Sequence, residues 1–264
     1  MHDEAPSAPP VTAAAPRPPR RFHAGHALIL LLEYIGAQYA AGVLVAIGFG
    51  VYASLAHSGQ PVAQAVQSSQ ALIIAYTAII GIPLGILIVV LQTRHWARGL
   101  FSQSGARGIA WTRPVGPGLS RGAAAGIVLG GGIYLLLTRL VPPDPQALEG
   151  PLSQLAQGGL FERVVMLVLA VLIAPLIEEF LFRGAMFAAV ARSWGVVAAV
   201  ILTTLAFVAV HLPDKIHYWP GLVAVGLLAL VNCWLRLRYR SLAPAMVAHF
   251  AYNISLVVFG AMLQ

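Results

Sequence analysis

Long apolar runs dominate this chain and limit the folds open to it. Seven runs approach the roughly 20 residues that a helix needs to cross a bilayer. Charged residues make up only 9% of the sequence, whereas a soluble domain carries about 25%. The runs are continuous rather than alternating, which argues against a membrane β-barrel. We therefore predict an all-α, polytopic membrane bundle of about seven transmembrane helices, within a range of six to eight, at 27–50, 70–92, 121–141, 161–191, 194–211, 220–235 and 242–263.

The basic residues follow the order of these runs. If seven helices alternate and the N-terminus is cytoplasmic, all but three of the 16 lysines and arginines fall on the cytoplasmic side, the exceptions being Arg139, Arg163 and Lys215. The net charge of +7 is then a topology signal and not evidence of nucleic-acid binding. We predict a multi-pass integral protein of the bacterial cytoplasmic membrane with a cytoplasmic N-terminus.

The first residues differ in composition from the rest of the chain. Residues 1–24 are rich in Pro and Ala, end in the basic stretch RPPRRF and contain no apolar core. This composition predicts a disordered, basic cytoplasmic tail rather than a signal peptide. Residues 25–264 then form a single transmembrane domain, with the catalytic core at about 160–264.

Two adjacent carboxylates stand inside the apolar stretch APLIEEFLFRG, where an ionised group costs about 2.5–3.5 kcal/mol at the centre of a spanning helix. Glu179 precedes Arg183 by four residues, so the two face each other on a helix and form a structural ion pair. Glu178 points about 100° away and has no basic residue four positions along the chain. Such a carboxylate suits general-base chemistry.

Two further polar pairs occur at helical spacing in later runs. FVAVH places Phe207 and His211 on one face, and HFAYN places His249 and Asn253 on another. Each pair alone is compatible with a purely structural role. Together with Glu178, one imidazole can activate a water while the other imidazole and the carboxamide stabilise an oxyanion. His249 matches the depth of Glu178 only if 178–192 projects beyond the membrane face or if the last helix starts deeper.

The three motifs EExxxR, FxxxH and HxxxN, in this order over residues 178–253, resemble those of the CPBP family of intramembrane proteases, also called the Abi or CAAX prenyl protease 2 family. The resemblance implies that Glu178 and His211 activate the attacking water and that His249 and Asn253 form the oxyanion hole. Glu179 and Arg183 would support the site, and Phe207 would pack beside it. A membrane-associated protein or peptide is the implied substrate. A prenylated CaaX protein is not specifically implied, because bacterial relatives have other substrates.

Several alternatives stay open at this stage. We predict no cofactor, but Glu178, His211 and His249 would also make a three-ligand zinc site with an open fourth position. A non-catalytic membrane scaffold or chaperone would use the same polar groups only for packing. A transporter would use them as a proton relay, although no repeat of broken helices supports that reading. The predicted partners are the substrate and the bilayer, without nucleic acid, and the oligomeric state stays open.

Overall fold

A computed structural model describes residues 22–56, 61–143 and 151–262. In these ranges the chain is helical and contains no strand, which confirms the all-α prediction. Residues 1–21, most of the predicted tail, lie outside the described residues. The helices are α1 (Ala24–Ala56), α2 (Val62–Ser68), α3 (Gln70–Ala97), α4 (Gly118–Leu140), α5 (Pro151–Gln157), α6 (Leu160–Pro213), α7 (Trp219–Tyr239) and α8 (Ala243–Met262).

Within the described residues seven apolar segments are present, as the hydropathy pattern predicts. Five helices, α1, α3, α4, α6 and α7, are long and apolar enough to cross a membrane. Helix α6 is broken at Gly195, where φ is 87° and ψ is 175°, a conformation that glycine adopts readily because it lacks a Cβ. It therefore supplies two segments, 160–194 and 196–213. Helix α8 adds a shorter apolar helix, Ala243–Phe259.

Three π-helical stretches widen the helices near the predicted site. One interrupts α4 at Val128–Ile133, and two interrupt α6 at Val168–Ile173 and Glu179–Met186. Pro175 lies between the latter two, in the first turn of an α-helical piece, where its missing N–H does least harm. Because π-turns are rare and concentrate at functional sites, their position around Glu178 marks this part of α6 for the site.

The ends of the helices meet in two groups, as alternating spans require. At one end the Ala24 amide donates to Ser193 Oγ (2.9 Å), and the Leu242 amide donates to the Ala110 carbonyl (2.9 Å). The His26 and Trp96 rings, 4.5 Å apart, join the start of α1 to the end of α3 at this same end. At the opposite end, Tyr218 donates to the Val141 carbonyl. We call the first group the basic end; its arginines are Arg94, Arg98, Arg107, Arg113, Arg121, Arg192, Arg238 and Arg240.

Helices α4 and α8 pack with their backbones in contact. Four glycines of α4, one every fourth residue, face α8, and we call them the glycine seam: Gly118, Gly122, Gly126 and Gly130. A Cβ on Gly126 would lie 2.1 Å from the Ala248 carbonyl oxygen, so no larger residue fits without displacing α8. Small residues at this spacing are a common means of close helix approach in membranes. The seam fixes the backbone immediately before His249.

Candidate active site

Three helical segments bring predicted site residues to one point. Glu178 lies on the first half of α6, His211 on its second half and His249 on α8. The His211 Nε2 atom is 3.9 Å from Glu178 Oε2, and the His249 Nε2 atom is 3.8 Å from the same oxygen. The Glu178 and His211 side chains are 17% and 23% exposed, whereas His249 is 5% exposed. The cluster is therefore partly buried but reachable from outside.

Hydrogen bonds on the far side of each ring orient both imidazoles. His249 Nδ1 donates to Glu179 Oε1 (2.9 Å), and His211 Nδ1 donates to the Phe207 carbonyl (2.8 Å). An ionised carboxylate and a carbonyl only accept, so Nδ1 carries the proton in both rings. In a neutral ring Nε2 then presents a lone pair toward Glu178.

Glu179 has a different environment from its neighbour. Its side chain is fully buried, and Oε1 accepts from Arg183 Nη1 (3.1 Å), Asn232 Nδ2 (2.9 Å) and His249 Nδ1 (2.9 Å). The predicted ion pair with Arg183 is present. Since a buried charge needs both a partner and hydrogen bonds, Glu179 serves as the anchor that ties α6, α7 and α8 together.

Phe207 forms the apolar wall of the cluster. Its ring meets Phe182 edge-on at 5.1 Å and lies 4.6 Å from the His211 ring and 5.8 Å from the His249 ring. The Arg183 guanidinium lies 4.1 Å above the Phe207 ring, a cation–π contact. Phe207 thus contacts both imidazoles and the cation that balances Glu179, which fits the packing role predicted for it.

Asn253 lies one turn after His249 on α8 and is half-buried. Its Nδ2 atom donates to the Ala170 carbonyl (2.6 Å), which lies in the π-helical stretch Val168–Ile173. A carboxamide nitrogen has two hydrogens, so one is left for a second acceptor. This bond joins α8 to α6 eight residues before Glu178, and the oxyanion role of Asn253 stays a prediction.

The depth of His249 has a simple explanation in the fold. A Cβ on Gly184 would lie 3.2 Å from Leu242 and 3.3 Å from Ile109, so this part of α6 is level with the start of α8. Helix α6 continues beyond that level up to its break at Gly195. Helix α6 thus extends past the start of α8, which agrees with the first predicted alternative, while a projection beyond the membrane face stays a prediction.

Two polar residues of α7 belong to the site but were not predicted. Asn232 holds Glu179, and Arg236, one turn later, donates to the carbonyls of Arg183 and Gly108. Arg236 is 1% exposed and lies 4.2 Å above the Phe187 ring. Arg236 lies inside α7 rather than in the link 236–240, where the sequence analysis had counted it, and its charge is buried against carbonyl oxygens. A polar pair at i,i+4 inside an apolar run was the available signal.

The orientation of the two histidines bears on the zinc alternative. The Nδ1 hydrogen bonds of both histidines resemble those that orient zinc ligands. However, within residues 22–56, 61–143 and 151–262 no group of three or more His, Cys, Asp or Glu side chains has the spacing to hold a metal ion. The absence of a cofactor stays a prediction, and the zinc set Glu178, His211 and His249 stays its alternative.

Comparison with known proteins identifies the region that carries this cluster. Residues 160–255 match the family described as Rce1-like, type II CAAX prenyl endopeptidase. The match begins with α6, ends within α8 and includes every predicted site residue. No curated protein and no solved structure matched the chain.

Proposed function

We propose that the chain is a peptide hydrolase of the CPBP family and a multi-pass membrane protein, as its motifs and the match over residues 160–255 indicate, and that Glu178 activates the water with which it cleaves its substrate. The observation that carries this proposal is the convergence of two Nε2 atoms on one carboxylate oxygen at 3.8 and 3.9 Å. Both distances exceed a direct hydrogen bond, and a water molecule can bridge polar atoms this far apart. A water at this point reaches a carboxylate and an imidazole together.

In the proposed reaction Glu178 accepts a proton from the water with the help of His211. The resulting hydroxide attacks the carbonyl carbon of the peptide bond. The same proton then passes from Glu178 to the leaving amine as the C–N bond breaks. General-base help of this kind contributes about 100- to 10,000-fold to the rate.

Charge that develops on the carbonyl oxygen needs donors on the other side of the substrate. We assign this role to His249 and Asn253, one turn apart on α8. For His249 to donate from Nε2, both ring nitrogens must carry protons, because Nδ1 already donates to Glu179. The Glu179 carboxylate complements the charge of that form. Asn253 would use its second Nδ2 hydrogen.

The substrate is a membrane-associated protein or peptide, and its identity is the first thing to measure. We would compare the new protein termini in cells that carry the wild-type chain with those in cells that carry Glu178→Gln. Termini that depend on Glu178 identify both the substrate and the cleaved bond. We expect them to disappear in the variant, since an amide cannot accept the proton.

The matched control is Glu33→Gln. Glu33 is a carboxylate at membrane depth in α1, away from the cluster around Glu178, and it accepts a hydrogen bond from Gln92 (3.2 Å). This control should cleave as the wild type does, at equal abundance in the membrane. Wild-type termini retained in Glu178→Gln would contradict the assigned base. A cellular phenotype that also survives this substitution would favour the scaffold reading.

A further inference from the structure

An apolar groove of about 580 Å³ opens beside the catalytic helix and is separate from the cluster around Glu178. It lies between α3, the loop that follows α3, and the first half of α6. Its charged residues are two arginines at one end, Arg94 and Arg98. Its lining is Ile86, Val89, Val90, Arg94, Arg98, Phe101, Trp111, Ile173, Leu176, Ile177 and Phe180.

Arg94 lies in the last turn of α3, and Arg98 begins the short 3-10 turn Arg98–Leu100 that follows; both are exposed and line the groove. Two like charges that line the same groove repel each other. Within the described residues neither has a carboxylate at ion-pair distance. An anion placed between them would remove the repulsion and satisfy both guanidinium groups, which suit phosphate oxygens especially well.

The rest of the groove suits a hydrocarbon chain rather than a peptide. Apart from the two arginines, the indole of Trp111 provides the single polar side-chain group of the lining. A peptide laid there would bring amide groups that need hydrogen-bond partners in an apolar setting. An acyl chain has no such requirement.

We propose that this groove binds an anionic phospholipid, with the phosphate between Arg94 and Arg98 and one acyl chain along the apolar wall. Basic sites between helices near one membrane face commonly hold anionic headgroups. The lipid would contact Leu176 and Ile177, which directly precede Glu178 in α6. It therefore supports the catalytic helix directly beside Glu178. This binding does not depend on proteolysis.

The test uses native mass spectrometry of the full chain in detergent, with added phosphatidylglycerol or phosphatidylcholine of identical acyl chains. We expect a preference for phosphatidylglycerol. Arg94→Gln with Arg98→Gln should weaken phosphatidylglycerol binding about 30-fold, given the usual contribution of an arginine near an anionic lipid. The matched control is Arg107→Gln with Arg113→Gln, which removes two exposed charges at the basic end but outside the groove.

A second variant tests the apolar wall without changing charge. Val90→Trp fills the groove and should exclude the chain, and a photoreactive acyl chain should label residues 86–90 or 173–180 in the wild type. Equal binding of both lipids, or an equal loss in the control pair, overturns the proposal. So does normal phosphatidylglycerol binding in the groove pair, even where cleavage falls, since the arginines would then serve the substrate.

Discussion

Helix α1 and the first half of α6 are both long and apolar, yet they are buried in different ways. Helix α1 buries a narrow stripe, mostly of alanines, and exposes most of its large apolar side chains, for example Leu44 and Leu55. Residues 179–191 of α6 are all buried, including Glu179 and Arg183. A helix that is buried on all sides lies at the centre of a bundle, whereas a helix that buries only one stripe lies at its periphery, which we call the wall. We therefore expect substitutions to be tolerated in α1 but not in the first half of α6, although both segments are apolar.

The largest expected effect comes from breaking the central ion pair. Arg183→Met leaves the buried Glu179 charge without its partner and should lower the free energy of unfolding by about 3 to 5 kcal/mol. In the wall, Glu33→Gln should change it by about 1 kcal/mol or less, because its bond to Gln92 is half-buried and can re-form. Unfolding in mixed micelles, followed by circular dichroism, measures both. Equal losses would mean that α1 is as central as α6.

The second prediction compares two carboxamides. Asn253→Ala should lower kcat about 100- to 1,000-fold with little change in KM, the usual effect of losing an oxyanion donor. Gln92→Ala, in α3, should leave both constants unchanged, because Gln92 contacts Glu33 and not the site. The measurement is cleavage of a substrate found in the terminus survey. A rise in KM alone for Asn253→Ala would assign that side chain to binding.

The third prediction compares two glycines of α4. Gly126→Ala should destabilise the protein by about 1 to 3 kcal/mol, as overpacking does. It should also lower activity by up to about 100-fold, because α8 moves with His249. A Cβ at Gly132 meets nothing within 4 Å, so Gly132→Ala should match the wild type. Activity and unfolding are measured together, and full activity in Gly126→Ala would show that the seam does not position the site.

The smallest expected effect is that of metal removal. We expect EDTA and 1,10-phenanthroline to leave the cleavage rate unchanged and metal analysis of the purified chain to find less than one metal per chain. A bound equivalent of zinc that is lost in Glu178→Gln would reverse this expectation. It would mean that Glu178, His211 and His249 move closer together when they bind the metal than they are in this structure.

Periodicity explains what could be predicted from the sequence. The apolar segments follow from length alone, and the Glu179–Arg183 pair and the two histidine faces follow from i,i+4 spacing within single helices. Contacts between helices were harder to predict from the sequence. Asn232 and Arg236 show no function until α7 is packed against α6, and the projection of α6 past Leu242 depends on how the loop after α3 folds back. The glycine seam was visible as a four-residue repeat, but its partner helix was not.

The seam also has a consequence for the order of synthesis. Glu178 leaves the ribosome 71 residues before His249, which is roughly 4 to 14 seconds at ordinary rates of translation. During that interval α4 has no α8 to close against, and Glu178 lacks one of its two imidazoles. The proposed hydrolase thus has no complete site while its own earlier helices are still being inserted, so a partly made chain is inert toward its neighbours.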